Sequence, residues 1–422
     1  MARRGLTEIF VVREFRVIWA AELVSVAGDQ LARVALSVLV FGRTGSAAWA
    51  AGTYALTFLP ALLGGVLLGW TADRFRRREV MIACDVLRAA GIIAMAFPGL
   101  PLPALSLVLA GVVLLGAPHT AAQGALMPQI LPGERYERGL AVRQITSQAA
   151  QLVGFAGGGL AVAALGAPVA LLVDAATFLV SAVVIRVGVL DRPSASGPTS
   201  GNVQRPGLRR ATAGIRAIVT HPARRALVGL AWTVGWFVVP EGLAAPYADQ
   251  LGAGPAVVGL LMAADPLGSV LGAWLFMRFV PTAWRERLVG VVAVAAGLPL
   301  VFMVAQPTVP ATIVLWGFSG VCSTAYLLQT QASFVRATPE ALRGSAIGVA
   351  ASGIVASQGL AVLIGGLLAD AWSPSGAIAA CGAAGALLAL GWAVRWRRAA
   401  RGGWADRPVA DRSRLVSPHP SR

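Results

Sequence analysis

Gly69-Trp70-Thr71-Ala72-Asp73-Arg74-Phe75-Arg76-Arg77-Arg78 is a short, strongly basic break between two apolar stretches, Ala47 to Thr71 and Glu79 to Phe97. Each stretch is close to the roughly 20 residues that a helix needs to cross a hydrocarbon core about 30 Å thick. The break therefore reads as a tight loop on one side of a membrane. One apolar run precedes this pair, so the loop joins a second helix to a third.

Working outward, the spacing predicts twelve such helices. In the first half they fall near Val17 to Gly42, Ala47 to Thr71, Glu79 to Phe97, Pro103 to Met127, Leu140 to Leu165 and Ala167 to Leu190. In the second half they fall near Leu227 to Ala248, Pro255 to Val280, Leu288 to Ala305, Val309 to Val335, Gly344 to Ala369 and Ser375 to Val394. The 422 residues are 57% hydrophobic and 13% charged, against about one-quarter charged in a soluble domain. Mean hydropathy is +0.72. In lipid every backbone polar group must be satisfied internally, which leaves helices or closed barrels. A barrel would alternate in polarity over segments of about 10 residues, and these segments are continuously apolar. The expected fold is an all-α integral membrane protein with twelve transmembrane helices in two pseudo-symmetric six-helix bundles. The first run continues from Val17 without a small-residue cleavage site and reads as an uncleaved helix.

A formal charge of +16 in a soluble protein would suggest a nucleic-acid partner, but here the arginines occupy alternate loops. Arg3, Arg4, Arg13 and Arg16 lie before the first helix, Arg74 and 76–78 in the opening loop, and Arg135 and Arg138 in the next loop of that side. Arg278, Arg285, Arg287, Arg336 and Arg343 continue the pattern, and the tail adds Arg395, Arg397, Arg398 and Arg401. The opposite loops hold one basic residue, Arg43. The positive-inside rule then places both termini in the cytoplasm, in a multi-pass protein of the bacterial cytoplasmic membrane with no nucleic-acid partner. The chain has no Lys, which removes the P-loop and Schiff-base chemistries. Cys84, Cys322 and Cys381 are far apart and form no disulfide framework or metal spacing. His119 reads as a helix-packing residue, His221 and His419 lie outside the helices, and no metal or cofactor is expected.

Residues 1–190 are expected to form the first bundle and 223–396 the second, with a cytoplasmic linker over 191–222 and a basic tail over 397–422. The Ser/Gly/Pro-rich stretch Asp191 to Pro206 reads as flexible. After it, Leu208, Ala211, Ile215, Ile218 and Val219 recur at helical spacing opposite Arg209, Arg210 and Arg216. Such a helix suits the anionic inner leaflet, although a solvated basic loop is also consistent. The halves repeat at one offset of 207 residues: Pro132 matches Pro339, Gln151 matches Gln358, and Gly158-Gly159-Leu160 matches Gly365-Gly366-Leu367. Parallel repeats of this kind place a substrate between the halves near the midplane.

The opening loop, with its Gly, Asp-Arg and basic cluster between helices two and three, resembles the signature loop of the major facilitator superfamily. Gly69, Asp73, Arg74, Arg77 and Arg78 carry the resemblance, and Arg76 stands where Gly is common. The resemblance implies a gating latch, with Asp73 facing the start of helix eleven near Gly344 and Ser345. The run Val80 to Arg88 is similar to the branch of enterobactin exporters and macrolide efflux proteins. Gly154-Phe155-Ala156-Gly157-Gly158-Gly159 is similar to the Gly-Pro-x-x-Gly-Gly element of superfamily exporters, with Phe155 in place of Pro. Gly154, Gly158, Gly159, Gly365 and Gly366 are read as helix-packing positions.

Ionisable residues at membrane depth cost roughly 2–3 kcal/mol each on insertion scales, so each calls for a partner or a function. At about 100° per residue, Glu22, Asp29 and Arg33 fall within roughly 40° of one face of helix one. Asp29 and Arg33 can neutralise each other at i,i+4, or the stripe lines a cavity where Glu22 or Asp29 binds a proton or a cationic substrate group. Glu241 follows Pro240 and Asp265 precedes Pro266, so each joins a carboxylate to a kink; both, like Asp174, are also consistent with hydrated helix ends. Asp85 and Arg88, at i,i+3, read as a local ion pair and gate candidate. Trp232, Trp236, Phe237, Tyr54 and Phe58 line a cavity or pack.

The inventory holds no nucleophile-base-acid cluster, so no enzyme is expected. The leading reading is a secondary transporter that exports a small amphipathic molecule, such as a drug, antibiotic, siderophore or other secondary metabolite, by alternating access and proton antiport, acting as a monomer among membrane lipids. Import of a nutrient or lipid-like molecule, or a receptor role, are the alternatives.

Overall fold

A computed structural model describes residues 6–68, 70–192 and 208–401. A 3-10 turn at Leu6–Val11 leads into α1, Arg13–Thr44. Gly45 ends α1 in the left-handed region at φ 63°, its N–H returning to the carbonyl of Phe41, a conformation that a residue without Cβ adopts freely. Ser46 caps the next helix by accepting from the N–H of Trp49. That helix, α2, consists of Ala47–Ala55 and Leu59–Leu68 joined by a turn, and a short helix at Thr71–Arg74 follows. Next come α3, Arg77–Ala96; α4, Leu102–Ile130; α5, Glu134–Leu165; and α6, Ala167–Gly188. A linker helix, Leu208–Val219, leads to the second half.

There α7 is broken: Pro222–Gly242 and Ala244–Gln250 meet at an angle of 47°. Pro240 and Pro246 flank the break and remove backbone donors there. The rest are α8, Pro255–Phe279; α9, Thr282–Val301; α10, Val309–Ala337; α11, Glu340–Ala371; and α12, Pro374–Arg401. Among the described residues ten helices are long and apolar enough to cross a membrane, or eleven with α7 counted as one span. The remaining long helix, α3, has 20 residues and carries Asp85 and Arg88 in its interior. Several helices run past their expected bounds, α12 to Arg401 rather than Val394 and α5 from Glu134 rather than Leu140, and α7, expected to kink at Pro240, is broken outright.

Each neighbour pair of the first half recurs in the second. Helix α1 packs on α5 and α6, α3 on α4 and α6, and α2 on α4; correspondingly α7 packs on α11 and α12, α9 on α10 and α12, and α8 on α10. The halves join where α5 crosses α8 and where α2 crosses α11. Leu63, Leu107, Val183, Leu298 and Leu387 lie on the outer faces, each at least half exposed, as suits a lipid environment rather than water.

The seam uses the repeated glycines in the same way on both sides. A Cβ on Gly158 would stand 2.9 Å from the Cα of Leu31 on α1, and one on Gly159 would stand 2.7 Å from the Cα of Gly259 on α8. In α11, a Cβ on Gly365 would strike Val239 of α7, and one on Gly366 would stand 2.5 Å from the Cβ of Ala51 on α2. In each pair the first glycine admits a helix of its own half and the second admits the other half. Gly154 sits against the Ala27 carbonyl of α1. These seam contacts, with Ser46 and the Ala47 N–H donating to Asp370 at 2.6 Å each, lie toward the end of the bundle away from the chain termini.

The linker helix rests on α11, where a Cβ on Gly214 would stand 2.6 Å from the Ser345 carbonyl. Ala217 and Ile218 are buried, while Ile215 and Val219 are about half exposed. Part of the apolar stripe expected to meet lipid therefore meets protein. The side chains of Leu208, Arg209, Arg210 and Ala211 lie outside the described residues.

Candidate functional site

The α1 stripe faces inward, and each of its three charges reaches a different helix. Arg143 of α5 grips Glu22 with both ends of its fork, Nε to Oε2 at 2.6 Å and Nη2 to Oε1 at 2.9 Å. Gln123 of α4 donates to the same carboxylate at 3.2 Å. The planar guanidinium suits such a two-point contact. Arg143 is the main residue that sequence reasoning missed. Its signal was present, since a cation three residues into the expected helix Leu140 to Leu165 falls under the same membrane-depth rule as Glu22.

Asp29 does not neutralise Arg33. Arg88 of α3 donates to it instead, at 2.9 and 3.1 Å, with its guanidinium 4.0 Å from the Phe178 ring centroid. Arg33 stands over Tyr54 and Phe58 of α2, 5.7 and 5.6 Å from the ring centroids, a cation–π arrangement. The expected Asp85–Arg88 pair is also overturned, because Arg88 is committed to Asp29. Fully buried Asp85 accepts from the Ser181 hydroxyl at 2.6 Å, and the Nε2 of His119 lies 3.3 Å from its other oxygen. His119 is thus a neighbour of the Asp85 carboxyl as well as a packing residue. The physical reason is common to both corrections: a cross-helix partner that packing holds in place competes with the neighbour on the same helix turn.

The network crosses the seam. Tyr54, buried on α2, donates its hydroxyl hydrogen bond to Glu241 on the broken helix α7. Glu241 is 9% exposed, so it is no hydrated helix end. Asp265 on α8 is half-buried, and the Ser269 hydroxyl lies 3.5 Å from its Oδ2. Asp174 on α6 is fully buried too. A cavity of about 100 Å³ opens beside Asp29, Arg33 and Arg88, walled by Leu36, Thr57 and Val112. In the second half a cavity of about 210 Å³ lies among α7, α10 and α11, lined largely by apolar side chains such as Leu227, Phe334 and Ile347. Trp232 donates from its indole to the Ala350 carbonyl at 3.1 Å, and Trp236 and Phe237 pack in the main core.

Gly69 and the Asp73 side chain lie outside the described residues, and with them the expected latch to α11. The described arginines of that loop turn to their own half. Arg77 donates to the Ala125 carbonyl at 3.2 Å, while Arg76 and Arg78 approach Asp191 at 2.5 and 3.5 Å. Arg74 is exposed at the end of the short helix. Next to Asp191, Arg192 pairs with Glu14 at 2.7 Å, and that hydrogen bond holds the Arg192 guanidinium above its ordinary value. The signature loop is thereby tied to the root of the linker.

Comparison with known proteins agrees with this architecture. The family model of the Major Facilitator Superfamily matches residues 18–243 and 225–419. The chain belongs to that superfamily. It is a multi-pass membrane transporter of the superfamily fold, and a small-molecule substrate follows from that membership. The chain is 27% identical over 374 residues to the multidrug efflux pump Tap of Mycobacterium tuberculosis, covering 83% of this chain and 86% of that one. It is 30% identical over 126 residues to macrolide efflux protein A of Streptococcus pyogenes, covering 29% and 31%. Among solved structures, the nucleoside transporter NupG superposes with a TM-score of 0.76 at 13% identity, covering 91% of this chain and all of that one. An inward-facing, occupied bacterial homolog of the human lysosomal transporter Spinster superposes with a TM-score of 0.67 at 15% identity, covering 92% and 94%. At such identities the likeness concerns the fold.

Proposed function

We propose that this transporter exports a small amphipathic molecule by alternating access, as a proton antiporter of the bacterial cytoplasmic membrane. Its termini are cytoplasmic and α3 is the twelfth span. The arginine distribution supports that orientation. With the termini inside, the seam glycines close the outer side, and the conformation is inward-facing.

The observation that carries proton coupling is the hydrogen bond from Tyr54 to Glu241 across the two halves. Opening the outer side separates α2 from α7 and strips Glu241 of its donor. Leaving a buried acceptor unsatisfied costs about 1–3 kcal/mol, and more for a charged one. A proton taken from outside neutralises the carboxylate and removes that cost. Return to the inward-facing state restores Tyr54 as donor and releases the proton inward. Uptake of a proton is thus linked to the step that exposes the cargo to the outside. The apolar cavity of the second half supplies a surface for the hydrophobic part of the cargo, and the Glu22 and Asp29 networks a polar one. The named likeness to efflux pumps over most of the chain supports the outward direction.

The test is transport in proteoliposomes, with a fluorescent lipophilic cation as probe. Accumulation driven by a pH gradient is expected for the wild type, and Glu241→Gln is expected to lose the dependence on that gradient. If the wild type moves the dye equally well after the gradient is collapsed, proton antiport is wrong.

A further inference from the structure

Asp174 is buried beside the Asp29–Arg88 pair but is left out of it. Its Oδ2 has no hydrogen-bond partner. Its Oδ1 lies 3.2 Å from the Thr177 hydroxyl, which also lies 2.7 Å from the Asp174 carbonyl. A hydroxyl has a single proton to donate, and the shorter contact claims it. Oδ1 is left with at most a weak share of that hydrogen and Oδ2 with none, an environment poor in donors for a carboxylate and one in which a protonated carboxyl can give its own hydrogen to the Thr177 oxygen.

The surrounding charges point the same way. From α1, Asp29 faces the site, and Gly28 leaves the space the carboxyl fills, since a Cβ there would strike Asp174 Oδ1. From α3 comes Arg88, whose cation is engaged by Asp29. Asp85, also on α3, is held by Ser181 and faced by His119 of α4. Arg143 of α5 is occupied by Glu22, and Arg33 of α1 stands over Tyr54 and Phe58. Arg88 is thus committed to Asp29 at 2.9 Å, and among the described residues no cation forms an ion pair with Asp174. Ionising both carboxyl groups would bury a net negative charge with no cation assigned to it, which is expensive at low dielectric.

We propose that Asp174 is a proton-binding site, loaded in this conformation, that controls whether Arg88 holds Asp29. When the O–H bond of Asp174 breaks, the proton passes to water in the cavity beside Asp29 and Arg88. The Arg88 guanidinium then turns toward the new carboxylate, and Asp29, one-third exposed, is freed into that cavity. Reprotonation of Asp174 returns Arg88 to Asp29. The use of this switch in transport rests on the export reading above; the protonation of Asp174 does not.

The experiment is infrared difference spectroscopy of the purified full chain, which reports the carbonyl stretch of protonated carboxylic acids. A band from a buried acid is expected at neutral pH in the wild type and in Glu241→Gln, and is expected to vanish in Asp174→Asn. Thr177→Val removes the acceptor of the carboxyl proton without changing charge and is expected to shift that band, which keeps the test open should Asp174→Asn fail to fold. In proteoliposomes Asp174→Asn is expected to lose pH-driven accumulation of the lipophilic cation. A band that persists in Asp174→Asn, or stays unmoved in Thr177→Val, overturns the proposal. Full pH-driven accumulation by Asp174→Asn overturns its coupling role. Failure of the wild type to carry the dye would sink the export reading and leave the infrared result standing.

Discussion

Gly158 and Gly159 on α5 do the same pair of jobs as Gly365 and Gly366 on α11, yet the interiors beside them have little in common. Away from its helix ends the first half holds Glu22, Asp29, Arg33, Asp85, Arg88, His119, Arg143 and Asp174, most of them bound to one another across helices. The second half holds Glu241 and Asp265 at comparable depth, and a largely apolar cavity. A repeated backbone has thus been given two interiors. The seam must let helices slide past and separate in either half, so it keeps its small residues. Charge need only be placed once along the path, and a second polar interior would add desolvation cost without adding coupling.

Breaking the polar interior should have the largest effect. Arg88→Leu leaves Asp29 without its cation and is expected to cost about 3–5 kcal/mol, seen as a lower melting temperature in detergent together with loss of transport. An unchanged melting temperature would mean that the charges of the first half do not hold it together.

A change at the seam should be milder and should show in conformation. In Gly259→Val, the Cβ would stand 2.5 Å from the Cα of Gly159 and from the Phe155 carbonyl, an overpacking that costs about 1–3 kcal/mol. The halves are expected to part at that end, so a membrane-impermeant thiol reagent should label Gly52→Cys faster in this background. Equal labelling rates would show that the glycine contact does not close the seam.

The smallest effect is expected at the surface. Arg76, 62% exposed in its contact with Asp191, forms the kind of ion pair worth about 0.2–1 kcal/mol. Arg76→Gly, which restores the commoner residue of the signature loop, should lower the melting temperature slightly at low salt and not at high salt. A large, salt-independent loss would mean that the loop's tie to the linker root bears on the whole fold.

Much of this was legible along the chain, because the properties involved are local or periodic. Span length, the crowding of arginines into alternate loops and the offset of 207 follow from counting, and membrane burial enforces each of them. The Gly158-Gly159 and Gly365-Gly366 pairs stood out for the same reason, though their division of labour within and between halves did not. For charged residues the sequence could say only that Glu22, Asp29 and Arg33 share a face. Asp29 and Arg33 were neighbours on one helix turn, Glu22 had no such neighbour, and all three had several possible partners elsewhere. Whether Asp29 met Arg33 or Arg88, whether Asp85 met Arg88 or His119, and whether Glu241 met water or Tyr54 depended on helix rotation and on the break in α7. Those are set by packing among helices distant in sequence, where a long side chain pairs with the group that the fold brings within about 3 Å rather than with the one that lies nearest along the chain.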